Sequence, residues 1–483
     1  MAAPMYAHAR WGLLETDPSS GRSLQSLQPD QLFVPGSTTK LFPISAAWKI
    51  LGPDSRITTP VYATGPVSGG RLEGGLVLVG KGDLDLGGRT KPDGTIDYTN
   101  DDHADANSVP GATLTPEDPL AGITSLARQV RGAGVTDVAG DVLVDDRLFV
   151  ASSNLNPAPT PIILNDNLID LQVTPTAPGS PASGFWRPQT ARNSVTFSVT
   201  TGPAGSPVNL SVSGPDQAGH ISVSGQIPAG GGPQLRTADI TDPAAFARTA
   251  FIEALQREGV SVHGSPVGPN PAGSLPPSAS LTGQPIASLI SAVYSQYARL
   301  ILKVSLNLGA NLAVCLLAAH GGQTDCNAGF PAMAGFARSA GVDVDQVAIA
   351  DGRGGFEGDR FTPRAVVTLL TWWTKQADFD SFRQTLPILG VDGSLAGVQA
   401  DSPARGKVSA KTGTAVSFSL FGPQPRFLLE DKALAGYLDE GGGRYLPFDL
   451  VVNDVLLPDT SFAGIVRVLD DTGKIAAILQ QAG

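Results

Sequence analysis

From about residue 61 to about residue 280 the chain reads as one β-rich block between two helix-forming regions, and this constrains the fold more than any other feature. The block is dense in Val, Thr, Ser, Gly and Pro. Short apolar–polar alternations predict strands at 75–79, 140–144, 195–199 and 220–224. Pro- and Gly-rich stretches at 228–233 and 275–278 punctuate them. Before the block, Ser37 to Leu51 predicts a helix ended by Gly52-Pro53. After it, helical periodicity returns. Leu289, Val293, Leu300 and Ile301 lead, across a break near 305–309, to a second run at 312–319, and a third covers 363–374. Strand candidates at 406–409, 433–438 and 448–453 precede an amphipathic closing helix at 461–479. The expectation is a mixed α/β (α+β) domain built from both chain ends and interrupted by a large, mostly β insertion. The 483 residues accommodate about two to four domains.

Composition removes several function classes. Apolar residues make up 41% and charged residues 16%, which places the chain among globular proteins. A formal net charge of -11 argues against nucleic acid as a partner. None of the lysines lies between Lys91 and Lys303, so that stretch has no lysine cluster for phosphate or anionic lipid. No run of about 18 apolar residues occurs, so no membrane span is expected. The N-terminus lacks a basic segment followed by an apolar one. That leaves both a cytosolic protein and a mature exported form, without its signal peptide, in play. Cys315 and Cys326 fit no metal-binding pattern; a disulfide and buried free thiols both stay open. The five histidines have no metal-ligand spacing. Asp101 to Asp105, with His103 in it, reads as a solvated acidic loop rather than a cation site.

Three short motifs carry chemistry. In Pro35-Gly36-Ser37-Thr38-Thr39-Lys40, a Ser and a Lys three apart share one helical face. The amine can then take the hydroxyl proton, provided burial or a nearby cation favours its uncharged form. The helix N-terminus there suits a developing oxyanion, while Pro43 predicts a kink. Lys411-Thr412-Gly413-Thr414, at the end of a strand, offers backbone for a substrate to pair against. Gly413 permits close approach, and Lys411, Thr412 and Thr414 suit a carboxylate. The third motif is Ser-x-Asn. It occurs as Ser305-Leu306-Asn307, in the break between two helical runs, and as Ser152-Ser153-Asn154, which reads as an ordinary polar loop.

Together and in this order the motifs resemble the penicillin-binding proteins and serine β-lactamases. Ser37 and Ser305 are 268 residues apart (305 − 37). This long insertion is similar to that of the D-alanyl-D-alanine carboxypeptidase/endopeptidase family of low-molecular-mass penicillin-binding proteins. Stretches 78–83, 140–146, 165–175, 351–352, 435–437 and 448–453 resemble that family too. Departures are Leu306, Asn311 and Arg353, where the family commonly has Asp, Glu and Ser.

The resemblance implies a transpeptidase-type catalytic domain at 1–60 and 281–483. The insertion would be split as 61–82 and 172–280 around a nested part at 83–171. It also implies Ser37 as nucleophile, Lys40 as proton acceptor, Ser305 and Lys411 as proton donors to the leaving amine, and Asn307 on the substrate amide. Thr412, Gly413 and Thr414 would hold the terminal carboxylate end, without metal or cofactor. Peptidoglycan stem peptides are the implied substrates, β-lactams the covalent inhibitors, and an extracytoplasmic site the location. An esterase, amidase or peptide cyclase of the same fold, and a non-catalytic penicillin-binding scaffold, are the alternatives.

Overall fold

The computed structural model describes residues 3–482. The chain folds as two compact units, one formed by residues up to 55 with 150–159 and 294 onward, the other by 56–149 and 160–293.

The first unit is built on an antiparallel sheet of β1 (Arg10–Thr16), β2 (Ser23–Leu27), β3 (Val408–Ser419), β4 (Arg426–Asp439) and β5 (Tyr445–Asn453). Their order is β3-β4-β5-β1-β2, with the short strand Val455–Leu456 also pairing on β4. Leu13 of β1 lies opposite Leu450 of β5, so the first strand of the chain closes against its last long one. Around the sheet run α1 (Leu41–Leu51), α2 (Tyr294–Lys303), α3 (Asn307–His320), α4 (Gly329–Ser339), α5 (Pro363–Trp373) and α6 (Phe462–Ala482). α5 packs on β5 and α6 on β4. Both central strands are therefore covered on two faces and read as continuous buried runs instead of alternating. Leu434, Leu438, Phe448, Leu450 and Val452 meet Val468 and Ala476 of α6 in one core. The start of α5 follows from its sequence: Thr362 caps the Ala365 N–H at 3.1 Å and Pro363 occupies the first turn.

Several expectations shift. Leu289 belongs to a strand, Ala287–Ile290, and helix begins only at Tyr294, because the apolar residues before it pair with strand Thr58–Ala63. The helix expected from Ser37 is a 3-10 turn, Gly36–Lys40, followed by α1. Pro43 therefore falls in the first turn of α1, where a missing N–H is tolerated. Residues 150–159, expected within the insertion, belong to the first unit. The Val150 N–H donates to Thr324 O (2.7 Å), and Ser152 Oγ donates to Asp325 Oδ1 (2.8 Å).

Cys315 of α3 and Cys326 form a disulfide. Its ring is short, so replacing both by serine is expected to lower the unfolding free energy by about 3 kcal/mol. Denaturant titration of oxidised protein against the double variant measures this; coincident midpoints would refute it. No helix among the described residues is long and apolar enough to cross a membrane.

The second unit carries two four-stranded and two three-stranded sheets. Helices Ala121–Gly132 and Pro243–Arg257 pack with them around one apolar core that includes Leu78, Ile123, Leu126, Val144, Ile169, Phe246 and Phe251. The acidic stretch at 101–105 is not solvated throughout: Asp102 and His103 are buried. Arg89 donates to both oxygens of Asp102 at 2.8 Å and also to Asp166, while His103 bridges Asp166 (2.9 Å) and Asp170. Asp170 also accepts from Arg187 at 3.0 Å. Three cations thus meet three carboxylates in a closed network. Burial alone would raise the Asp102 and Asp166 pKa values; Arg89 outweighs it and holds both below the usual range. Burial likewise opposes the charged ring of His103, but Asp170 and Asp166 prevail and push it up to about 10.

Candidate active site

The chain enters the site along Phe33, whose N–H bonds Phe361 O, and Val34, whose N–H donates to Asn453 Oδ1 at 2.7 Å. Gly36 then turns at φ +48° into the 3-10 turn. A Cβ there would lie 2.7 Å from the Thr414 N, so only glycine lets this turn sit against β3. Residues three apart eclipse in a 3-10 turn, which stacks Lys40 under Ser37. Lys40 is fully buried. Its Nζ lies 2.7 Å from Ser37 Oγ, 2.8 Å from Asn307 Oδ1 and 3.1 Å from Arg353 O.

The break between α2 and α3 supplies the second motif. Ser305 stands at φ +62°, a conformation rare for a residue with a side chain, and Leu306 turns its side chain into the core. Asn307 is the first residue of α3. Nearby, Lys303 pairs with both oxygens of Asp392 (2.6 and 2.7 Å). Burial keeps the Lys303 pKa below the lysine range despite that partner.

β3 is an edge strand, and Lys411 lies near its beginning rather than its end. Lys411 Nζ donates to Ser305 Oγ (2.9 Å) and to Thr412 O (2.8 Å). A Cβ on Gly413 would meet Pro35 O at 2.6 Å, so strand and nucleophile turn touch backbone to backbone. Thr412 Oγ1 is 2.8 Å from Ser394 Oγ, and Thr414 Oγ1 accepts from Lys432 Nζ at 2.6 Å. The three motifs therefore converge: Ser305 and Asn307, two residues apart, each meet one lysine of the other two motifs. Ser152 and Asn154, the second Ser-x-Asn match, instead tie down residues 150–159, Asn154 through Ala350 O.

Sequence reasoning singled out Asn311, Arg353 and residues 351–352 but gave them no role in the site. Asn311 accepts from the Gly352 N–H (2.9 Å) and donates to Pro157 O (3.0 Å), joining α3 to segments on either side. Asp351 accepts the N–H groups of Arg353 (3.0 Å) and Gly354 (2.6 Å), which aims the Arg353 carbonyl at Lys40. Since Arg353 meets Lys40 through its backbone, any side chain there could supply this contact. Behind the site lie three buried ionisable groups. Burial raises Asp431 well above a carboxylate's range, raises Asp449 to about 8, and lowers Lys432 to about 8. An Asp-Lys pair inside the apolar run 428–438 was the available signal for these residues.

A hydroxyl within hydrogen-bond reach of a buried amine, with a second Ser–Lys pair across from it, can form and resolve an acyl-enzyme. The architecture is that of the penicillin-binding fold. The chain superposes on penicillin-binding protein 4 of Haemophilus influenzae with a TM-score of 0.72 and 18% identity, covering 98% of this chain and 97% of that one. The β-lactam complex of that protein matches with a TM-score of 0.68 at 19% identity over 97% and 96%.

The chain belongs to the D-Ala-D-Ala carboxypeptidase 3 (S13) family of serine peptidases, whose sequence model matches residues 1–470. A D-alanyl-D-alanine carboxypeptidase of Actinomadura sp. (strain R39) is 27% identical over 467 residues, 92% of this chain and 77% of that protein. A penicillin-sensitive carboxypeptidase A of Dictyostelium discoideum is 26% identical over 434 residues, 84% and 77% of the two chains.

Proposed function

We propose that the protein hydrolyses the bond between the two terminal D-alanines of peptidoglycan stem peptides through an acyl-enzyme on Ser37, and that β-lactams acylate the same oxygen. The observation that carries this reading is Lys40 Nζ, held 2.7 Å from Ser37 Oγ by two further acceptors. Lys40 takes the Ser37 proton and Oγ attacks the scissile carbonyl. The N–H groups of Ser37 and Thr414 face the oxyanion. Ser305, with Lys411 behind it, passes a proton to the departing amine. Asn307 holds the substrate amide. Thr412 and Thr414 take the terminal carboxylate, and Gly413 admits the substrate to the strand edge. Water then releases the acyl group.

Ser37→Ala is expected to abolish covalent labelling by a fluorescent penicillin and D-alanine release from an acyl-D-Ala-D-Ala peptide. Labelling that persists would move the nucleophile elsewhere. Penicillin labelling of the unaltered protein without D-alanine release would make it a binding scaffold, and ester hydrolysis alone would make it an esterase. An extracytoplasmic location is part of this proposal, supported by the Cys315–Cys326 disulfide, which persists in oxidising compartments. So is the nested division of the insertion at 83 and 171, residues 150–159 excepted, to be tested by limited proteolysis.

A further inference from the structure

We infer that Lys432 is a positioning residue of the substrate-carboxylate pocket, orienting the Thr414 hydroxyl. The inference rests on the reading above, in which Thr412 and Thr414 take the terminal carboxylate.

Lys432 stands on β4 directly opposite Thr414 of β3, so its side chain shares that residue's face of the sheet. It is 4% exposed, and its Nζ donates to Thr414 Oγ1 at 2.6 Å. An ammonium group has hydrogens to give and no lone pair to accept with. The Thr414 oxygen must therefore accept from Lys432, which leaves its single hydrogen for another acceptor. In this structure that acceptor is Gly413 O at 2.8 Å. A substrate carboxylate arriving at the strand edge is the stronger, charged acceptor, and the hydroxyl needs only to swing toward it. The hydrogen bond from Lys432 is kept throughout, so the charge of a buried amine reaches the substrate through one hydroxyl.

Thr412 is served similarly by its own neighbours: its Oγ1 meets Ser394 Oγ at 2.8 Å and Lys411 Nζ at 3.5 Å. Each threonine hydroxyl in the proposed pocket thus has a lysine behind it. Burying an amine is costly without a compensating partner. Asp431, the adjacent residue, is the acidic group acting on Lys432, and it lies on the side of the strand facing Gly36 and Gly413. That leaves Thr414 as the hydrogen-bond partner of Lys432.

The test compares D-alanine release from an acyl-D-Ala-D-Ala peptide with release of D-alaninamide from the same peptide amidated at its C-terminus. The unaltered protein should favour the free acid. Lys432→Met should lower that preference roughly ten- to hundredfold, mainly through KM, and Lys432→Arg should restore most of it. Thr414→Val should lose the same preference, with Lys432→Met adding nothing in that background. If Lys432→Met does not fold, the Thr414→Val and Lys432→Arg results still decide. A Lys432→Met protein that loses acid and amide activity in equal proportion, or loses neither, overturns the inference. An unaltered protein with no preference for the acid overturns the carboxylate reading itself, and the role of Lys432 falls with it.

Discussion

Lys40→Met will lower D-alanine release and penicillin labelling by ~10²–10⁴-fold, the usual contribution of a positioned proton acceptor. Methionine approximates the stem of lysine but offers no basic nitrogen, so Ser37 Oγ loses the only group on its own turn that can take its proton. The change also has a structural side. Asn307 Oδ1 and Arg353 O both accept from Lys40 Nζ, and each would lose that donor inside a buried site, at about 1–3 kcal/mol apiece. Thermal unfolding measured alongside the kinetics separates the two effects. A second variant, Lys40→Ala, opens space for a small primary amine. Partial recovery of labelling with added ethylamine would attribute the loss to chemistry, and near-normal turnover in Lys40→Met would assign the proton to another group.

Arg89→Leu should destabilise the second unit by about 3–5 kcal/mol, because it strands two buried carboxylates, Asp102 and Asp166, that the guanidinium holds. The pH dependence follows from the signs. The folded-state pKa values of Asp102 and Asp166 lie below their unfolded values. Their stabilisation is therefore present above about pH 4 and fades as the pH falls below it. The gap between normal and variant protein should narrow in acid. His103 works in the opposite sense. Its folded pKa of about 10 exceeds the unfolded 6.5, so its contribution is full below pH 6.5 and is lost as the pH rises through 10. His103→Gln should flatten that alkaline decline. Urea unfolding across pH 3 to 10 reads both limbs, and an Arg89→Leu midpoint equal to the unaltered one would show that the network carries no net stabilisation.

What could be read from the sequence divides along physical lines. Ser37 and Lys40 were legible because three residues of separation bring the two side chains together in an α-helix and in a 3-10 turn alike. Mistaking one turn for the other cost nothing. Ser305 and Asn307 were legible because an interruption between two apolar helical runs has to be polar and has to face something. Of the strands of the first unit, β4, β5 and the start of β3 were legible as apolar runs, whereas β1, β2 and the rest of β3 were not. His103 was misread because its partners, Asp166 and Asp170, lie some 60 residues further on, and Asp102 because Arg89, which holds it, lies outside the acidic stretch; no local pattern betrays either pairing. Lys432 and Ser394 were missed, and Asn311 was noticed without its role, for the same reason, each acting on a residue distant in sequence.

The pairing of β1 with β5 has a consequence for synthesis. The β1–β2 pair and the Ser37 turn leave the ribosome long before the strands that complete their sheet, which begin only at Val408 and end at Asn453. At ~5–20 residues per second, tens of seconds pass in which the β1–β2 pair has no third strand to join. During that interval Ser37 stands apart from Lys411 and Thr414. Translation itself therefore delays assembly of the hydrolase until the strand ending at Asn453 has been made.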